Sequence, residues 1–378
     1  MSIARGRVDL QSPWQSDQVV TDLEIARWRL RSQHLVRPHA AGAADVVRQL
    51  LGVQAENPSQ SAWAVAARTR GPDPRDLAGL LDCGAVLRTH VLRPTWHYVA
   101  AEDARWLIEL TAPRVLATTG RGLRQSSGMS EPAIDAAKAV ILDALGSRRA
   151  LTRSSLAESL AEANRAISGH DLMLLLAELE LLCLVCSGPP ADGVHTYALF
   201  ADRVPDSMPL ERDEALSRLA CRYLVGHGPA TDRDLAYWAT LPFGDVRLGL
   251  AAVSDRLESF DHDGRTFWHL VGQRPPTHPG DPVGHLLQVL DEAYRGYQDS
   301  RWVLDFAGVV PRGRETSVGM VLVDGQLVAS MKRITGASSV EFTLMPHSSW
   351  TPFAHQAIET AAARYADFLG VEPVLSIS

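Results

Sequence analysis

The chain has 378 residues, 46% of them apolar and 21% charged, which excludes a disordered chain and gives length for two or three domains around substantial cores. A net charge of −7 weighs against bulk attraction to nucleic acid, although charge distribution matters more than its sum. No apolar run approaches the ~18 residues that a membrane helix needs, and Met1–Val20 lacks the n-region and h-region of a signal peptide, so the expected location is the cytoplasm.

Residues 1–20 read as a loose leader. The first module, 21–125, opens with a helix over Asp22–Leu35, with Asp22 as its N-cap, followed by helices over Ala43–Leu51, Ser61–Arg70 and Asp76–Cys83. Val86–Val99 then reads as a two-strand unit. The second module, 126–205, has an amphipathic helix over Glu131–Leu145, a short helix capped by Thr152, an apolar helix over Gly169–Leu182, and a hairpin from Leu184–Ser187 and His195–Phe200. The third, 206–272, repeats that order: Arg212–Val225, a helix capped by Thr231, Phe243–Leu257, and strands Glu258–Phe260 and Thr266–Leu270 around Asp261-His262-Asp263-Gly264. Helix, Thr-capped helix, helix and hairpin is the order of a winged helix-turn-helix; the first module is a looser copy. A Pro/Gly-rich linker, Gln273–Pro282, leads to a small α+β domain over 283–378 with a curled sheet. Its Asp324-Gly325 turn joins strands Val318–Val323 and Gln326–Arg333, a further strand spans Ser339–Met345, and a helix over Pro352–Leu369 closes it.

Cys183 and Cys186 form a C-x-x-C without a second pair or a histidine at zinc spacing, so they read as buried small hydrophobes. No metal cluster, phosphate-cradling glycine loop or Ser-His-Asp arrangement stands out. The apolar third helices lack the exposed Arg, Asn or Gln that a major-groove reader needs, which argues against an operator-binding regulator. Arginines concentrate early. Between Ile25 and Arg70 seven of them oppose only Asp45 and Glu56, and between Ala85 and Gln125 six oppose Glu102, Asp103 and Glu109. Either a basic face or a solvated helix surface would produce this pattern.

One stretch carries chemistry: Gln54-Ala55-Glu56-Asn57-Pro58, between two apolar segments. Pro58 disfavours helix at Asn57, so Gln54 and Glu56 can share a face on extended backbone, where the bland reading is a polar helix end capping backbone groups.

Several segments together resemble one family. Leu50-Leu51-Gly52-Val53-Gln54-Ala55-Glu56, Arg93-Pro94-Thr95-Trp96-His97-Tyr98-Val99, Leu110–Val115, Cys186–Pro189, His195–Leu199, Gly228–Thr231 and Leu322–Gly325 are similar to segments of the AlkZ-like bacterial winged-helix DNA glycosylases, over nearly the whole chain from Asp22. The resemblance implies three tandem winged helices followed by a small C-terminal β-barrel-like domain. It also implies excision of bulky or alkylated purines, including adducts of DNA-alkylating antibiotics in producer actinobacteria.

The family's catalytic motif is Gln–apolar–Gln, or Gln–apolar–Asp in the YcaQ-like branch; carried over, it falls on Gln54 and Glu56, and the glutamate departs from both patterns. The expected activity is that of a monofunctional glycosylase on double-stranded DNA carrying an alkylated purine, acting as a monomer without cofactor or metal. The rival is a non-catalytic DNA-binding or drug-sequestering protein. Lys138 and Lys332 are the only lysines, neither in the motif, so a Schiff-base lyase is not expected.

Further DNA-contact candidates are Asn57, Arg93, His97, Arg312, Arg314, Lys332 and Arg333. His97 reads either as a cleft residue or as a satisfied histidine beside Trp96 and Tyr98. Met331 stands where the family usually has tryptophan. Asp291-Glu292-Ala293-Tyr294 matches a family Asp-Glu-Tyr segment only in part, and a structural role is the favoured reading there.

Overall fold

The computed structural model describes residues 20–37, 39–276, 283–310 and 319–378. The expected leader, apart from its last residue, and Arg312 and Arg314 lie outside the described residues.

Helix α1 (Asp22–Ser32) is capped by Thr21 rather than Asp22: the Thr21 hydroxyl accepts from the Glu24 amide while the Glu24 carboxylate accepts from the Thr21 amide. This capping box satisfies two otherwise orphaned donors. Helix α2 (Ala43–Leu50) ends where Leu51 adopts a φ of 62°, and the chain continues as strand β1 (Val53–Gln54). Helix α3 (Pro58–Ala66) starts earlier than expected because Pro58, with its fixed φ and missing N–H, suits the first helical position. After α4 (Pro74–Cys83), strands β2 (Val86–His90) and β3 (Trp96–Ala100) complete an antiparallel sheet in the order β1-β3-β2. The next segment, for which the sequence predicts no element, forms the 27-residue helix α5 (Ala101–Ser127) with Pro113 inside it.

The next two units repeat an order. Helix α6 (Glu131–Arg148), strand β4 (Leu151–Thr152), helices α7 (Arg153–Glu162) and α8 (Gly169–Leu181), strands β5 (Val185–Ser187) and β6 (Thr196–Leu199) and the short α9 (Phe200–Arg203) form the first, with the sheet order β4-β6-β5. Helices α10 (Arg212–His227), α11 (Asp232–Ala239) and α12 (Phe243–Ala252) and the hairpin β7 (Leu257–His262) with β8 (Arg265–Leu270) form the second. Thr152 and Thr231 cap α7 and α11 as their spacing predicts, each accepting from the amide three residues on. Cys183 and Cys186 are free and buried, also as expected.

The C-terminal part holds β9 (Gly284–Leu287), a one-turn helix α13 (Glu292–Arg295), β10 (Gly319–Val323), β11 (Gln326–Thr335), β12 (Ser339–Pro346), helix α14 (Pro352–Leu369) and β13 (Glu372–Ile377). They build one curled five-stranded sheet in the order β13-β12-β11-β10-β9, in which no pairing closes β13 onto β9 among the described residues. Asp324 and Gly325 have φ values of 51° and 77°, the left-handed pair that a two-residue hairpin turn requires. In this part the strands that the sequence does not predict are β9, four residues beside the Pro/Gly linker, and β13, a mostly exposed edge with a proline.

These parts do not pack separately. Leu51, Leu87 and Leu107 share one buried cluster with Leu181 and Phe200 and with Leu216, Trp238 and Leu250, which come from all three helical units. Trp63 of α3 stacks on Tyr365 of α14 at 4.3 Å and donates to the Leu286 carbonyl at 2.7 Å, which ties the first unit to the sheet. Gly226 of α10 faces α2 so closely that a Cβ there would lie 2.5 Å from the Gln49 carbonyl oxygen. The Gln49 amide also donates to the Val225 carbonyl at 3.1 Å, so the helix leading into β1 is fixed from outside its own unit.

Candidate active site

The site is built where α2 gives way to β1. Alternation along extended backbone sends Val53 and Ala55 into a buried cluster and leaves Gln54 and Glu56 on the other face. The shared face expected on extended backbone therefore forms. The register pairs Gln54 with His97 and Val53 with Tyr98, and the Ala55 amide donates to the Trp96 carbonyl at 2.7 Å, extending the pairing.

The two side chains have different surroundings. Gln54 is 3% exposed. Its side-chain oxygen accepts from the Glu56 amide at 3.3 Å, which leaves Nε2 as a buried donor without a partner. Glu56 is exposed, and one of its carboxylate oxygens accepts from the Trp96 amide at 3.3 Å. Asn57, also exposed, precedes α3 but does not cap it through its side chain; its Oδ1 accepts from the Ser59 hydroxyl at 2.8 Å.

Arg88 of β2 holds this segment from behind and was not among the sequence candidates. It is buried, donates through Nε to the Ala55 carbonyl at 2.8 Å and reaches the Glu56 carbonyl at 3.4 Å. Its guanidinium lies 4.4 Å from the Trp96 ring centroid.

Beneath Gln54 sits Glu292 of α13, fully buried. It accepts from the Gln54 amide at 3.1 Å, the Trp238 indole at 2.8 Å and His227 at 3.3 Å, with Arg93 at 3.5 Å. Burial alone would raise its pKa, but the His227 hydrogen bond and the charge of Arg93 hold it at about 2. Next to it, Asp291 forms a fully buried bidentate pair with Arg68, at 2.7 and 3.1 Å. The structural role read for this Asp-Glu pair is what these bonds provide, and its reach to the motif backbone is not legible in the sequence.

Arg93 lines the cleft beside Gln54, donating to the Arg295 carbonyl and to His97 Nε2, both at 3.0 Å. His97 corrects its assignment as a DNA-contact residue. It is wholly buried, with Nδ1 on the Thr95 carbonyl and Nε2 on Arg93, and burial together with the Arg93 charge lowers its pKa to about 3. It is a neutral prop for Arg93. Lys332 is exposed on β11, whereas Arg333 is bonded to the Tyr365 hydroxyl. No hydrogen bond or ion pair joins either to Gln54, Glu56 or Arg93 among the described residues. The early arginines are largely consumed inside the fold: Arg29 binds the Pro229 carbonyl and Ser300, Arg68 binds Asp291, and Arg88 holds the motif.

Gln54, Arg93, Arg114, Tyr237 and Arg295 line a cleft of about 480 Å³. The arrangement sets a buried donor amide and three arginines, Arg93, Arg114 and Arg295, in the cleft lining, with an exposed carboxylate two residues on from the amide.

The model of the "DNA glycosylase AlkZ-like" family matches residues 47–368. A curated relative described as an interstrand DNA cross-link repair glycosylase, from Streptomyces sahachiroi, is 28% identical over 260 residues, covering 64% of this chain and 67% of the relative. The solved structure of the DNA glycosylase AlkZ from the same organism superposes with a TM-score of 0.76 at 23% identity, covering 96% of this chain and all of that one. Mixed α and β architecture is thus shared at the level of the fold, and the sequence match extends across the motif. The chain belongs to the AlkZ-like DNA glycosylase family and is a DNA glycosylase.

Proposed function

We propose that this enzyme is a monofunctional glycosylase that hydrolyses the N-glycosidic bond of alkylated purines in double-stranded DNA, with bulky N7-guanine adducts of a DNA-alkylating natural product as the preferred class. The reading includes DNA repair or self-resistance as its role, a monomeric enzyme acting in the cytoplasm, and an architecture of three tandem winged-helix modules over 21–125, 126–205 and 206–272, with 283–378 as the closing domain. The repeated helix, Thr-capped helix, helix and hairpin order of the second and third units supports the modules. The bulky adduct class is in keeping with a relative described as repairing interstrand cross-links.

A single observation carries the mechanism. The Gln54 side chain is oriented by its bond to the Glu56 N–H, which leaves Nε2 a buried donor without a partner on a residue that lines the cleft, two positions from an exposed carboxylate. An N7-alkylguanine is cationic and already a good leaving group; bond breaking develops positive charge on the sugar, and water then attacks C1′. Gln54 Nε2 donates to that water's oxygen and orients it. Glu56 stabilises the sugar's charge and takes the water's proton. Asn57, beside Glu56, and Arg93, beside Gln54, are the near contacts to DNA; Lys332, Arg333, Arg312 and Arg314 are proposed as phosphate contacts further out. No amine reaches the cleft from the described residues: Lys138 is bound to Glu178 at 2.8 Å and Lys332 lies on the sheet. Without a Schiff base the product is an intact strand with an abasic site.

The test is base release from duplexes carrying N7-methylguanine or a bulky antibiotic–guanine adduct, for wild type and Glu56→Gln, with strand scission measured before and after alkali. The expected result is release that requires alkali for scission and falls by about 10²–10⁴-fold in the variant. Retarded but intact duplex under all conditions would instead mark a binding protein for those adducts.

A further inference from the structure

The lining of the cleft beyond Gln54 has a composition that hydrolysis of a cationic base does not call for. Arg295 of α13 donates to the Tyr237 hydroxyl at 3.2 Å, and its Nε is buried without a partner. Gln54, which lines the same cleft, has a second buried donor without one in its Nε2. Arg114, exposed on α5, also lines the cleft. Neither Arg114 nor Arg295 forms an ion pair with a carboxylate among the described residues, whereas Arg93 is partly neutralised by Glu292 at 3.5 Å. Arg301 lies 5.7 Å and Arg93 5.9 Å from the centroid of the Tyr237 ring, so cations surround the phenol as well.

A cleft lined by guanidiniums that lack a carboxylate partner favours an anionic occupant with several acceptor oxygens. We propose that Arg114, Arg295 and Tyr237 form a subsite for one backbone phosphodiester of the DNA beside the target nucleotide, and that this contact sets the register of the lesion on Gln54 and Glu56. A cationic alkylpurine is the wrong occupant for this wall, because two unpaired guanidiniums repel it. A phosphodiester supplies one negative charge and two non-bridging oxygens, enough for both arginines, with the Tyr237 hydroxyl free to donate because it already accepts from Arg295. The subsite rests on the glycosylase reading for the identity of its polymer and deepens that reading.

The experiment scans single methylphosphonates through the positions flanking a tetrahydrofuran abasic analogue in a duplex, and measures affinity for wild type, Arg114→Gln and Arg295→Gln across a salt series. Arg114 is exposed, so its variant keeps the test intact if Arg295→Gln, which also loses the Tyr237 bond, fails to fold. One position is expected to weaken wild-type binding and to have no further effect in Arg114→Gln, whose slope of log affinity against log salt falls by about 0.9, the loss of one phosphate contact. Methylphosphonates that act alike at every position, or alike on wild type and variant, overturn the subsite. Thermal protection by inorganic phosphate in wild type but not Arg114→Gln, with a flat methylphosphonate scan, reassigns it to a free anion and also overturns the DNA contact. Base release from an ordinary alkylated duplex, measured alongside, separates the two readings: release with a flat scan removes only the subsite, whereas neither release nor binding removes both.

Discussion

Arg88 shows how one residue links the fold to the chemistry. Its Nε bonds the Ala55 carbonyl at 2.8 Å, and its ring contact with Trp96 steadies the amide that holds the Glu56 carboxylate. It touches the motif only through backbone and an aromatic neighbour, so it positions rather than reacts. Arg88→Met keeps volume and removes the donors. We expect kcat for base release to fall by about 10²-fold, the scale set by small misplacement of reacting groups, with affinity for an abasic-analogue duplex retained. Affinity falling in parallel with kcat would instead place Arg88 on the DNA.

Among the elements, α13 has consequences out of proportion to its four residues, Glu292–Arg295. Asp291, its N-cap, is paired with Arg68 beyond the end of α3, both side chains fully buried, and Glu292 accepts from the backbone of β1. Removing one partner of a buried pair strands the other charge, so Asp291→Ala should destabilise by about 3–5 kcal/mol, read from denaturant midpoints. A loss below ~1 kcal/mol, the level of an exposed pair, would mean that Arg68 finds water or another acceptor. Packing at α10 is tight for a different reason: at Gly226 any Cβ meets the Gln49 carbonyl. Gly226→Ala must therefore push α2 and the motif apart from α10, and reduced activity should accompany its lower stability.

For the whole molecule, buried titratable groups dictate the acid response. His97 and His285 are fully buried with pKa values near 3, His97 through burial and Arg93, His285 through burial and Arg364. Below about pH 6.5 the unfolded chain protonates these histidines and the native state does not. Their contribution is therefore complete above pH 6.5 and declines as pH falls toward 3, by at most about 1.4 kcal/mol per pH unit for each group. Glu292, held at about 2, adds stability above the ordinary glutamate range and loses it as pH falls through about 2. Thermal midpoints measured from pH 8 to 4 should be level at first and then fall, with a shallower decline in His97→Gln. A flat profile over that range would show that these histidines open to water.

Local chemistry determined much of this protein. Threonine caps at Thr152 and Thr231, the Asp324-Gly325 turn and the repeated element order follow from neighbours in the chain, and extended backbone before Pro58 makes Gln54 and Glu56 share a face because side chains alternate there. Arg88 and Glu292 were not legible as site residues, since they meet Ala55 and Gln54 from 33 and 238 positions away. Nor did the count of early arginines reveal their use, because Arg29, Arg68 and Arg88 turn inward onto carbonyls and carboxylates while Arg114 and Arg295, from separate stretches, define the charged cleft wall. Capping, turn and strand geometry are set within a few residues; burial, pairing of distant charges and the shape of the cleft exist only once the chain has folded, and tertiary packing alone decided them.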